Sequence, residues 1–310
     1  MTAVPSSDPV APLAPPTRTR PSQPAPARAL PLLAGALAYA SFVGMDATVK
    51  LISPRYDALQ LAFLRFASGA VFALALWLWF RSPMPARAAW RLHGLRCLLL
   101  LVSLTGYFHA LTLLPLMQAV AISYTAPLFL SLLAMLLLGE RPSRWLWLAL
   151  ALGLGGVMVS LLPELQHAAN AGSSARIEGL LSAGVASLAF AGVMVLARQQ
   201  AQQDSLWTIL LLQNVLPLVL LALPTGLSWR PVPASDLAPI VLIGALATVG
   251  LLGLTWAFKH LEASRVAPLE YTSFVWAGLL GYTLFGELPT PTTALSATLV
   301  VAGCLLLLRR

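Results

Sequence analysis

Charge is scarce in this chain. Only 10% of its 310 residues are Asp, Glu, Lys or Arg, against about a quarter in an ordinary soluble domain. Cysteine and histidine are rarer still, at two and four. Cys97 and Cys304 both fall inside apolar runs, where they read as small buried hydrophobes rather than a disulfide or a metal pair. His93, His109, His167 and His260 have no ligand-like spacing, and neither H-E-x-x-H nor G-x-S-x-G occurs. No metal, no cofactor and no enzymatic constellation is therefore expected. Also missing is any cluster of Lys and Arg interleaved with aromatics. The net charge of +8 is scattered singly between apolar stretches, which argues against nucleic acid as a partner. The glycine-rich LGLGGV at 152–157 has no strand before it and no lysine after it, so it is not a nucleotide loop.

What fills the chain instead is hydrocarbon. Hydrophobic residues make up 58% of it and the mean hydropathy is +0.81. A water-soluble fold of this size could not keep so much apolar side chain out of solvent. A lipid bilayer removes the difficulty, because there the apolar surface faces outward. Residues 1–29 are a different material, a Pro/Ala-rich tail with three arginines and no apolar run, expected to be disordered. It is not a secretory signal, since the first apolar run, 30–52, is long enough to span and lacks a cleavage site after it.

A spanning helix needs about 20 apolar residues. Runs of that kind occur near 30–52, 59–80, 95–115, 117–138, 145–163, 177–198, 206–227, 237–258, 264–285 and 291–308. The third and fourth are separated only at Leu114–Pro115, where proline discourages continuous helix. Charge supports ten spans over nine. With both termini in the cytoplasm, the inner segments hold fourteen basic residues (Arg18, Arg20, Arg28, Arg81, Arg87, Arg91, Arg96, Arg141, Arg144, Arg198, Lys259, Arg265, Arg309 and Arg310). The outer loops hold only Lys50, Arg55, Arg176 and Arg230, and Arg65 lies within a span. That asymmetry follows the rule that positive loops stay inside.

The chain also repeats itself. Shifted by 147 residues, 110–142 lies over 257–289, so that Tyr124-Thr125 falls on Tyr271-Thr272, Gly139-Glu140 on Gly286-Glu287, and Pro142 on Pro289. A shift of 148 places Phe42, Gly44 and Lys50 on Phe190, Gly192 and Arg198. Five spans per repeat is an odd number, so the second copy must enter the membrane from the opposite face. The loops agree with this: GERPSR, expected inside, keeps Arg141 and Arg144, whereas its partner GELPTP, expected outside, has no basic residue. The expected fold is thus an all-α integral membrane protein of ten transmembrane helices in two inverted five-helix repeats. The first spans 30–163, a linker follows at 164–176, and the second spans 177–308. Two copies pointing opposite ways can exchange conformations, opening a site between them alternately to each side.

With these residues in view, the chain resembles the drug/metabolite transporter superfamily, specifically its EamA family. The features that carry the resemblance are LAFLRF in the second span, Y-T-A-P-L-F…L-G-E-R-P across the fourth, and A-P-L-E-Y…F-G-E-L-P across the ninth. It covers roughly 30–308 and leaves the tail out. The resemblance implies an inner-membrane carrier with a central cavity, often exporting amino acids or related metabolites, with lipid and a small-molecule substrate as its partners. It does not choose a cargo. No ATP-binding motif is present, so transport is expected to be facilitated or ion-coupled, with protons as the candidate ion. Ten helices can enclose a cavity within one chain, as a monomer or in a homodimer.

Charges inside hydrocarbon cost roughly 2.5–3.5 kcal/mol on insertion scales, so each needs a reason. Arg65 lies about 9 Å below the outer end of its span and Asp46 at a similar depth in the first, close enough to pair. Alternatively Asp46 pairs with Lys50 one turn away. Glu270 lies deep in the ninth span, and its repeat partner is Ser123, so the shared fold does not demand a carboxylate there. It contacts a solute amino group or carries a coupling proton, or else pairs with Arg265. Gln213 is the repeat counterpart of Arg65 and is expected near Glu270, Tyr271 and Asn214, mirroring Arg65 and Tyr124 across the repeat. The substrate-binding candidates are Arg65, Tyr124, Gln213, Glu270, Tyr271 and Trp276, with Asp46 and His109 as coupling candidates. Glu140 and Glu287 are expected to cap the helices that begin near Pro142 and Pro289.

Overall fold

The computed structural model describes residues 25–87, 89–113, 122–168 and 174–286, with 295, 298–299, 301–303 and 305–306 of the last stretch. Among these residues every regular element is helical. Most of the tail, the Leu114–Pro115 break, residues 169–173 of the linker and Glu287 lie outside the described residues.

Helix α1 runs Ala25–Ile52, five residues ahead of the expected start, and a 3-10 turn at Ser53–Arg55 leads to α2, Ala58–Trp79. Asp57 caps α2 by accepting the Gln60 N–H at 2.7 Å. Then follow α3 (Ala89–Leu113), α4 (Ala126–Leu138), α5 (Arg144–Ala168), α6 (Ser174–Gln203), α7 (Leu206–Leu227) and α8 (Leu237–His260). The expected ninth span is broken into α9 (Ala263–Val266), a 3-10 turn (Ala267–Tyr271) and α10 (Thr272–Phe285). Pro127 and Pro268 sit at the starts of α4 and that 3-10 turn, where a missing N–H costs little. Pro217, by contrast, is inside α7.

Among the described residues five helical stretches are long and apolar enough to cross a membrane: Ala29–Val49, Leu59–Trp79, Ile177–Gln203, Leu206–Leu227 and Ala234–His260. The chain is a multi-pass membrane protein by that measure. Its outer surface is correspondingly oily, with Trp79 82%, Leu223 77% and Leu227 85% exposed. The helices pack in pairs: α3 lies on α6, α1 on α8, α2 on α7, α4 on α6, and α10 on α1. Small residues permit the close approaches. A side chain added at Gly69 would run into the Asn214 amide of α7 at 2.3 Å, and one at Gly153 into the Tyr271 ring at 2.2 Å. The main core gathers Tyr39, Leu130, Leu150, Val193, Leu254, Phe258 and Tyr271, so it joins residues from both sequence halves.

Polar ties hold the two ends of the bundle. At one end the Asp236 carboxylate accepts from Arg55 and from the Tyr56 hydroxyl (2.7 Å), and the Gln60 amide bonds both backbone groups of Arg230, at 2.6 and 3.0 Å. Burial, reinforced by the Asp236 carboxylate, pushes the Tyr56 phenol above its ordinary pKa and keeps it a donor. At the other end His93 meets Asp204 at 3.0 Å, Arg96 donates to the Gln200 side chain at 2.7 Å, and the Ser82 hydroxyl meets Ser205.

Candidate solute site in the bundle interior

The repeated Y-T pair forms the seam of the site. Tyr124 ends a turn just before α4, and Tyr271 ends the 3-10 turn just before α10. Their rings lie 6.1 Å apart, the Tyr271 hydroxyl donates to the Tyr124 carbonyl at 3.2 Å, and the Tyr124 hydroxyl reaches Ser273 Oγ at 3.5 Å. Each following helix closes on a left-handed glycine, Gly139 at φ 65° and Gly286 at φ 68°. The two segments therefore share a local structure as well as a sequence, and they meet each other.

Around this seam the structure gathers titratable groups from five parts of the chain, three of them charged. Glu270 lies within electrostatic reach of Tyr39, Tyr124 and Tyr271. Asp46 lies within reach of Arg65, Tyr107 and Tyr124. Tyr124 is within reach of both carboxylates. Asp46 is exposed although its neighbours come from α2, α3 and the turn before α4. Glu270 and Arg65 are also only half-buried. Two carboxylates, one of them with a guanidinium nearby, thus lie around the two tyrosines. Arg65 Nε also lies 3.1 Å from the Met45 sulfur.

Other expected site residues lie elsewhere. Gln213 lines a small cavity with His93, Arg96, Cys97 and Leu100, and the Asn214 amide is turned back on its own helix, bonding the Leu210 carbonyl at 2.8 Å. The inner cluster expected around Glu270, Gln213 and Asn214 is therefore divided between two places. His109 is half-exposed at the end of α3, 3.0 Å from Glu178 of α6. Trp276 is half-buried on α10, one turn beyond Tyr271. Tyr39, Tyr107 and Ser273 complete the seam. The signal for Tyr39 was available: with Phe42 and Asp46 it makes an i, i+3, i+7 face on α1.

Glu140 caps a helix, but not the next one. Ser143 accepts the Leu146 N–H at the start of α5, at 3.3 Å. The Glu140 carboxylate instead accepts the N–H groups of Ala263 (2.8 Å) and Ser264 (2.9 Å), with Arg198 Nε at 3.8 Å. The left-handed turn at Gly139 directs the chain across the bundle rather than forward, and the bare N-terminus of α9 offers unpaired donors and the positive end of its dipole. Arg198 in turn donates to the Phe258 carbonyl, so α4, α6, α8 and α9 are fastened together at this end.

A family model described as the EamA-like transporter family matches residues 29–162 and again 177–309. A pseudopaline exporter of Pseudomonas aeruginosa is 31% identical over 288 residues, covering 90% of this chain and 95% of that one. An S-adenosylmethionine uptake transporter of Rickettsia prowazekii is 24% identical over 264 residues, 85% and 87% of the two chains. Among solved structures, one crystal structure superposes with a TM-score of 0.71 at 23% identity, covering 88% of this chain and 97% of that one, a likeness of fold.

Proposed function

The chain belongs to the EamA-like transporter family, and from that premise we propose that it exports an amino acid or a related zwitterionic metabolite by alternating access between two inverted five-helix repeats. That it is a small-molecule transporter and not an enzyme follows from the family and its named relatives. The observation that carries the finer reading is the Tyr124–Tyr271 seam, where Tyr124 lies within electrostatic reach of both Glu270 and Asp46, the latter beside Arg65. In this reading Glu270 receives the solute ammonium group or a coupling proton, the tyrosines and Trp276 enclose the solute body, and Asp46 with Arg65 lines the outer approach. His109, beside Glu178 at the outer end, remains a second proton-handling candidate.

Packing supports an inverted-repeat arrangement. Exchanging the first helix of each half with the first of the other, and the third with the third, turns the α3–α6 pair into the α8–α1 pair, and both are extensive. α2 and α7, counterparts of each other, pack together. The ties at each end also join segments that the charge pattern assigns to one side: Arg55 and Tyr56 with Asp236 outside, His93 with Asp204 and Glu140 with Ala263 inside. Both termini then lie in the cytoplasm of a cell whose inner membrane holds the protein, with the tenth span in 291–308 and a monomer as the working unit.

Export is favoured by the higher identity to the exporter; the uptake transporter among the relatives supports the second reading, inward movement of the same class of solute. Comparing metabolites inside and outside deletion and overexpression cells decides. Overexpression should raise an amino-acid-like compound in the medium and deletion should raise it in the cell. The opposite signs would establish uptake, and no change in any such compound would overturn the zwitterion assignment.

A further inference from the structure

The small cavity that Gln213 faces is a separate polar site. It lies between α3 and α7, is lined by His93, Arg96, Cys97, Leu100, Leu212, Gln213 and Pro217, and has a volume of about 10 Å³. That is about the room one water needs. Two atoms in its walls have unmet bonding capacity. Arg96 is 4% exposed, and its Nε–H finds no acceptor among the described residues. The Gln213 side-chain oxygen is likewise buried without a donor. Arg96 Nη1 donates to Gln200, a neutral amide, at 2.7 Å. The carboxylate of this network, Asp204, is taken by His93 at 3.0 Å. Arg96 is thus a buried cation to which no carboxylate is bonded among the described residues.

An arginine inside a transporter without an anionic partner is poised for an anion that arrives. The repeat sharpens the point. Gln213 occupies the position that Arg65 holds in the first half, so the second half brings no cation of its own to that level. Arg96 supplies one from the neighbouring helix. Arg65 has Asp46 close by, whereas the side chain that bonds Arg96 among the described residues is the neutral Gln200 amide.

Resting on the transporter reading above, we propose that Arg96 and Gln213 form an anion subsite on the cytoplasmic leg of the transport path. It takes the solute carboxylate when the inner side opens, and a single water fills it when that side is closed. In the occupied state Arg96 Nε–H donates to the carboxylate, which satisfies the unmet donor, and a rotated Gln213 amide presents its NH2 to the same anion.

Cys97 lines the same cavity and is buried, which makes it a native reporter. In a Cys304→Ser background, inside-out vesicles would be treated with an anionic methanethiosulfonate (sulfonatoethyl) and a cationic one (trimethylammonium-ethyl), each rate being normalised to that of a free thiol. The anionic reagent should react faster, by on the order of tenfold for a unit charge near the thiol. Arg96→Lys should keep the preference. Arg96→Gln should lose it, and Arg96→Met serves in its place if the glutamine variant does not accumulate. Cys97 that is never labelled, that shows no preference for the anion, or that keeps its preference in the neutral variant would overturn the subsite. The labelling needs no knowledge of the cargo, so its outcome is independent of the metabolite comparison that tests the transported class.

Discussion

Ser123–Tyr124–Thr125 and Glu270–Tyr271–Thr272 are the same turn used twice. Each leads into an apolar helix, of 13 and 14 residues, and each helix stops at a left-handed glycine. They differ in two ways. The residue before the tyrosine is a serine in one and a glutamate in the other. And Tyr271 is 1% exposed, fitted against the notch at Gly153, while Tyr124 is only half-buried. What both turns share is what the helical architecture needs: a break, a threonine at the helix start and a glycine stop. What they do not share is chemistry. A carboxylate stands at this position in only one copy of the repeated segment, so the shared architecture does not require it.

The comparison can be broken most directly at its point of difference. Glu270→Gln is expected to lower transport of the amino-acid-like solute about 10- to 100-fold, the cost of one lost charge-assisted bond of about 1.5–3 kcal/mol. Ser123→Ala should change it less than about threefold. Both are read by counterflow in proteoliposomes, and equal losses would mean that the two turns are functionally alike. Normal flux through Glu270→Gln, with its pH profile unaltered, would remove the carboxylate from the mechanism.

Next in size is the shared helix-end glutamate. Glu140→Ala strips two backbone donors of a charged acceptor and should destabilise the protein by about 1.5–3 kcal/mol, seen as an earlier thermal unfolding midpoint in detergent. A similar shift in Glu287→Ala would show that the second copy uses its glutamate the same way; a much smaller one would add a third asymmetry to the pair.

The notch gives a sharper contrast within three residues. Gly153→Ala places a methyl group into the Tyr271 ring and should cost about 1–3 kcal/mol. Gly155→Ala meets nothing within 4 Å and should gain about 0.5–1 kcal/mol from helix propensity alone. Both appear in the same unfolding assay, and the opposite signs are the measurement. Smallest are the hydroxyls. Tyr271→Phe loses the 3.2 Å bond to the Tyr124 carbonyl, worth about 0.5–1.5 kcal/mol, while Tyr124→Phe gives up only a 3.5 Å contact with Ser273 and should shift stability less.

Much of this was legible along the chain. Twenty-residue apolar runs announce helices because no other single element satisfies its backbone in lipid, and the Y-T and G-E-x-P pairs announce a duplication because leucine-rich sequences do not produce them by chance. The proximity of Arg65 to Asp46 agrees with depth counting on two consecutive helices. Depth counting failed for Gln213. Its level could be read from its distance to the helix end, but not its direction, because Gln213 and Asn214 differ by about 100° around α7 and only packing shows which faces what. The reach of Glu140 was hidden for the same reason: its target, the N-terminus of α9, is 123 residues away.

The sequence alone determined the solvent of this protein, its helical class, its duplication and its family, since each is a property of composition or of order along one dimension. Tertiary structure decided which polar groups share a space. It brought Tyr124 against Tyr271 and Glu270, sent Gln213 to Arg96 instead, and gave Glu140 its partners in another helix. Such choices are made around helix axes and across helix interfaces, where residues far apart in the chain compete for the same few unpaired donors and acceptors.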